Sequence, residues 1–149
     1  MTLVKKKFTL AALTVLTAFG LSACETTSSA KGPEWKSLTL PENIAQVMLI
    51  QYDQNSIGKH AANKNWRSVN ILTQAADPNM KLGENISSSL SSLTADCENK
   101  GMRLEKIVLF SERDGQGEVV QSADLPSGEQ FAPVKEQIDE ELFALVCKK

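Results

Sequence analysis

The tetrapeptide Leu21-Ser22-Ala23-Cys24 constrains this chain more than any other stretch, because it closes a segment that is not built to fold with the rest. Lys5, Lys6 and Lys7 form a charged start, Phe8 to Gly20 is an apolar run softened by threonine, and small residues then lead into the cysteine. A secretory signal peptide has this three-part layout and is removed on export. A transmembrane helix is the competing reading, but spanning a bilayer core takes about 20 apolar residues. The run from Phe8 to Gly20 is too short for that. Residues 1–23 therefore drop out of the folding problem, and the remainder is expected to fold in an oxidising compartment.

The segment ends on a cysteine rather than on a plain small-residue cleavage site, and in this it resembles a bacterial lipoprotein signal with its lipobox. The resemblance implies that Cys24 becomes the new N-terminus, diacylated on sulfur and then acylated on its amine. One acyl chain holds a protein to a bilayer only marginally, and stable anchoring takes two signals. Two or three chains on Cys24 would make the membrane the chain's first partner. Glu25 stands where an aspartate would favour retention in the inner membrane of many Gram-negative bacteria. The expected location is the outer membrane, with the leaflet left open.

Removing the signal takes away three lysines and no acids, so the formal charge moves from −2 to −5. A modestly acidic small domain carries no basic footprint for nucleic acid, and the sequence shows no basic patch that would hug anionic lipid headgroups. The length suits one domain. Its aromatic residues are few: Trp35, Tyr52, Trp66, Phe110, Phe131 and Phe143 have to anchor the core with aliphatic help. A core of that size benefits from a covalent staple. With Cys24 acylated, Cys97 and Cys147 remain as an even pair with no competing thiol. Closing a loop of that length stabilises a fold by about 4 kcal/mol in the chain-entropy picture. A redox or metal-binding thiol is the alternative, and no CxxC, second histidine or ligand cluster supports it.

Residues 24–34 form a lipidated N-terminus and a flexible tether, since Thr, Ser, Ala, Lys, Gly and Pro bury little apolar surface. The domain is expected to span 35–149. Strand patterns then follow one another: Trp35 to Leu40, Gln46 to Tyr52, Trp66 to Thr73, and the serine-rich Ile86 to Asp96, with a bulge expected near Ser91-Ser92. In Met102 to Phe110, alternation puts Met102, Leu104, Val108 and Phe110 on one face, with Arg103 and Glu105 opposite. Asp114-Gly115-Gln116-Gly117 makes a hairpin turn into Glu118 to Ser122. The period then changes to that of a helix, with Val134, Ile138, Leu142 and Leu145 on one stripe and Pro133 expected in the first turn. The fold class is α+β: a small antiparallel β-sheet of about six strands with a C-terminal helix clipped to it by the Cys97–Cys147 disulfide.

The order of these features resembles a known family. A serine-rich strand runs into Asp96-Cys97, followed by Met102-Arg103 and a strand ending near Phe110. A glycine-bearing turn, Val119-Val120-Gln121-Ser122, a proline, and Pro133 ahead of a cysteine-terminated helix complete it. Upstream, Tyr52-Asp53-Gln54-Asn55-Ser56-Ile57 precedes a strand centred on Trp66. This set is similar to the surface-adhesin protein E family of small Gram-negative lipoproteins, across essentially the whole domain. The chain departs from it in carrying Phe131 two positions ahead of Pro133 and a single tyrosine. The resemblance implies a sheet with its terminal helix held by the disulfide, and binding of host extracellular-matrix or serum proteins.

Catalytic and metal readings find less support. His60 is the only histidine, in a Gly58-Lys59-His60-Ala61 stretch with loop character. The serines at 87, 88, 89, 91 and 92 lack a GxSxG setting. Asp53 and Asp77 lie beside turn residues, where aspartate caps its own backbone. Asp114-Gly115-Gln116-Gly117 has too few acids for a calcium loop, and no phosphate-loop, cofactor or metal signature is present. Trp35 and Trp66 are expected in the core. No catalytic or metal residue is assigned, and the binding residues are unknown. The expected role is a non-catalytic binding module for a host or envelope protein. A periplasm-facing accessory subunit is the alternative, and homo-oligomerisation by edge pairing is left undecided.

Overall fold

The computed structural model describes residues 31–125 and 130–148. Cys24 and the signal segment lie outside the described residues. Eight strands form one antiparallel sheet: β1 (Trp35–Ser37), β2 (Met48–Asp53), β3 (Gly58–His60), β4 (Asn63–Ala75), β5 (Ser88–Asp96), β6 (Gly101–Phe110), β7 (Val119–Asp124) and β8 (Ala132–Pro133). Six of them lie in the order β1-β2-β4-β5-β6-β7, while β3 pairs with β4 and β8 with β6. A short helix α1 (Glu42–Ala45) follows Pro41, and helix α2 (Gln137–Cys147) closes the chain.

Pairing fixes the two faces, because partnered residues point the same way and neighbours along a strand alternate. Val69 faces Leu93, Ile71 faces Ser91, and Ala95 faces Met102, all on one side of the sheet. Leu142 and Val146 of α2 pack onto this side against Leu38, Val69, Ile71 and Ala95 to make the buried core. Cys147 ends the helix and is bonded to Cys97, just after β5, with 5.6 Å between their Cα atoms. The α+β fold and the disulfide are as the sequence led one to expect.

Four local expectations are corrected. The irregularity between β5 and β6 falls opposite Ser92/Leu93, where Leu93 pairs with Leu104 and Ser92 with Lys106. Glu105 of β6 is therefore the extra residue, and the bulge is not on the serine strand. One inserted residue flips the alternation. Met102 and Leu104 thus face the helix, while Val108 and Phe110, paired with Leu90 and Ser88, face the other side. Pro133 sits in β8 opposite Gly101, and α2 begins four residues later at Gln137. His60 belongs to β3, a three-residue strand rather than a loop, and α1 was not foreseen.

Candidate functional site

The residues that a catalytic reading would use are engaged with the backbone. Asp53 is buried, and its Oδ1 accepts the amides of Glu34 at 2.8 Å and Asn55 at 3.0 Å, which ties the incoming chain to the end of β2. Ser56 Oγ donates to the Asp53 carbonyl and accepts from the Asn70 amide. Asp77 caps Asn79 in its own turn. Ser87 and Ser88 donate to the carbonyls of Ser111 and Glu112, and Ser88 also accepts from the Gly115 amide. These serines clamp the β6–β7 connection onto the sheet. Gln74, buried beside them, donates to the Asp114 carboxylate and accepts from the Asp114 amide. Among the described residues, no three His, Cys, Asp or Glu residues are placed to hold a metal ion.

On the face away from α2, the structure assembles a cluster that alternation alone did not reveal. The Arg103 guanidinium lies between two rings, 5.1 Å from the centroid of Trp66 and 4.7 Å from that of Phe131. The His60 ring meets Trp66 edge-on at 5.5 Å, and its Nδ1 accepts the Ala62 amide at 3.2 Å. Arg103 donates through Nε at 2.9 Å, and also through a terminal nitrogen, to the same oxygen of Glu105. Residues 103 and 105 share a face by simple alternation, ahead of the register shift, and the ion pair joins them there. Trp66 therefore belongs to a satellite cluster on the other face from the core, contrary to the expectation for it.

Two carboxyls in this region are held below the usual range. At Glu105, burial pushes upward, but the Arg103 hydrogen bond, the nearby Thr94 hydroxyl and the charges of Arg103 and His60 outweigh it. At Asp96, burial again pushes upward, and the side chain and amide of Asn99, the amide of Glu98 and the Trp66 indole outweigh it. Both groups are anchors of local structure: Asp96 caps the β5–β6 turn through three hydrogen bonds.

Among the described residues, no strand pairs with the outer side of β7, which carries one bulge, at Val120. This strand is the last in the sheet order, and only β6 and its connections occupy its inner side. Its sequence, VVQSAD, holds neither lysine nor proline, the residues that commonly protect an edge from pairing. Val119 and Val120 are 56% and 44% exposed. Val47, Met80 and Leu82, the other large apolar side chains exposed among the described residues, lie at the same end of the sheet. Val47 precedes β2, and Met80 and Leu82 sit in the β4–β5 connection. No described helix is long and apolar enough to cross a membrane.

Neither a curated protein nor a solved structure matches the chain. The sequence model of one family, described as surface-adhesin protein E, matches residues 35–148.

Proposed function

The chain belongs to the surface-adhesin protein E family, and from that premise we propose that it is an outer-membrane lipoprotein acting as a non-catalytic binding module. Cys24 carries the lipid, and the folded domain recognises a protein partner, with host matrix or serum proteins as the first class to screen. The family match over the whole folded domain is the observation that carries this reading. The open β7 edge supports it, because an extended segment can add to such an edge through main-chain hydrogen bonds while flanking apolar side chains select for sequence.

The deciding experiment is protease shaving or antibody labelling of intact, unpermeabilised cells. The expected outcome is labelling without permeabilisation. Protection until the outer membrane is opened would place the domain in the periplasm, and the adhesin reading would give way to an accessory role in an envelope assembly.

A further inference from the structure

Charge is distributed unevenly along the strands, although the mature chain is acidic as a whole. β2 finishes at Asp53, one residue past the Tyr52–Ile71 pair, and the chain enters the sheet at that level, beside the middle of β4. There Asn55 Nδ2 donates to the Gly32 carbonyl and the Glu34 amide reaches Asp53. Lys59, Lys64, Lys100 and Lys148 all lie at the end where β5 finishes and β4 and β6 begin, and all are exposed. Register places them together. Lys59 pairs across to Arg67, Lys64 opens β4, Lys100 lies in the β5–β6 turn, and Lys148 follows the cysteine that is bonded to Cys97.

Several acids of this end and of the chain's entry are engaged within the fold, while Glu98, and Glu140 beside Lys100, stay exposed. Asp53 and Asp96 are buried on backbone amides, Glu105 holds Arg103, Glu34 pairs with Lys36 at 2.9 Å, and Glu98 accepts from Asn65. The opposite end, about 35 Å away along β4 at ~3.3 Å per residue, is acidic. Glu42, Asp77, Glu84, Glu112, Asp114 and Glu118 gather there against Lys81 and Arg113. All the exposed large apolar side chains named above share that acidic end.

We infer that the lysine-bearing end is a docking surface for an anionic phospholipid bilayer, and that it orients the domain with its acidic, apolar end pointing outward. The inference rests on the lipid-anchor reading of Cys24. Residues 25–30 reach only about 20 Å even when fully extended, so an anchored domain stays close to headgroups. Lysines near an anionic bilayer are attracted within a Debye length of about 8 Å at physiological ionic strength. The acidic end is repelled by the same surface. Both effects turn the domain the same way on a tether that joins it level with the middle of β4. The open β7 edge and its apolar start are then presented away from the bilayer.

The test uses the full chain, purified in detergent, with acylation read by intact mass. It is reconstituted into vesicles of phosphatidylcholine alone or with roughly a third phosphatidylglycerol, and the acetylation rate of each lysine is followed by mass spectrometry. Rates at Lys59, Lys64, Lys100 and Lys148 should fall about threefold or more in the anionic vesicles at low salt, recover at high salt, and leave Lys81 unchanged. The combined variant Lys59→Glu, Lys64→Glu, Lys100→Glu should lose the difference between vesicles at an unchanged Tm. Equal rates in both vesicles, or equal protection of Lys81, overturns the orientation and leaves the anchor standing. Protection reproduced by inorganic phosphate without vesicles also overturns it. A mass showing no acyl chain on Cys24 overturns the anchor and the orientation together.

Discussion

Arg103 is the residue on which most of the far-face structure depends. It is 7% exposed, lies between Trp66 and Phe131, and has Glu105 as its counter-ion. Removing one member of a buried pair strands the other charge, at a cost of about 3–5 kcal/mol for full burial. Glu105 keeps some solvent contact, so Arg103→Ala should cost about 2–3 kcal/mol in urea unfolding, and Arg103→Lys should recover only part of it because the planar stacking is lost. A loss below about 0.5 kcal/mol, the size of an ordinary surface substitution, would show that the stack is ornamental. The acids give a second residue-scale expectation. Glu105 and Asp96 titrate lower in the folded chain than in the unfolded one. The unfolded state therefore binds more protons at acidic pH, and stability falls as pH drops through the folded values. The stabilisation is fully present above the unfolded carboxylate range near pH 4. Glu105→Gln should flatten the acid limb of stability measured against pH, and an unchanged limb would rule Glu105 out as a source. Only the shared face of Arg103 and Glu105 was legible beforehand. Its members come from β3, β4, β6 and the segment before β8, and only strand pairing brings the rings of His60, Trp66 and Phe131 to the face that Arg103 and Glu105 share.

At the scale of elements, α2 and its disulfide carry the clearest expectation. Val146 is fully buried and Leu142 nearly so, both against strand residues near the centre of the sheet. Cys147 then fixes the last turn to the end of β5 across a separation of 50 residues. Reduction, or Cys147→Ser, should lower stability by about 4 kcal/mol, seen as a lower urea midpoint, and unreduced denatured protein should titrate no free thiol from this pair. A midpoint that does not move on reduction would mean that the helix holds by packing alone. The β6–β8 contact offers a separate check. A Cβ on Gly101 would stand 2.7 Å from the Phe131 Cβ. Gly101→Ala should therefore push β8 off the sheet and cost about 1–3 kcal/mol, as overpacking does, and a neutral result would show that β8 gives way freely. The six main strands could be read from alternation and turn residues. The short β3, β8 and α1 could not, since two to four residues carry too little pattern and their existence depends on pairing with longer neighbours.

For the whole molecule, the sheet has one closed face, one face carrying the Arg103 cluster, and an outer edge at β7. If that edge recognises an extended segment, Val120→Lys should weaken binding of an identified partner about tenfold, since edge lysines oppose pairing. The same change should leave Tm within a degree or two, because Val120 is exposed. Unchanged affinity would move the binding surface to a face of the sheet. What the sequence determined by itself was whatever depends on local order: the even cysteine pair, the alternating strands and the helical stripe ahead of Cys147. Those follow from periodicity and residue chemistry within a short window. The tertiary structure decided what depends on register. A single extra residue at Glu105 reassigned the faces of β6, and antiparallel pairing gathered scattered lysines where β4 and β6 begin and scattered acids at the far end. A charge has no address until strands are paired, so the sequence shows only its sum, while the fold gives it a direction.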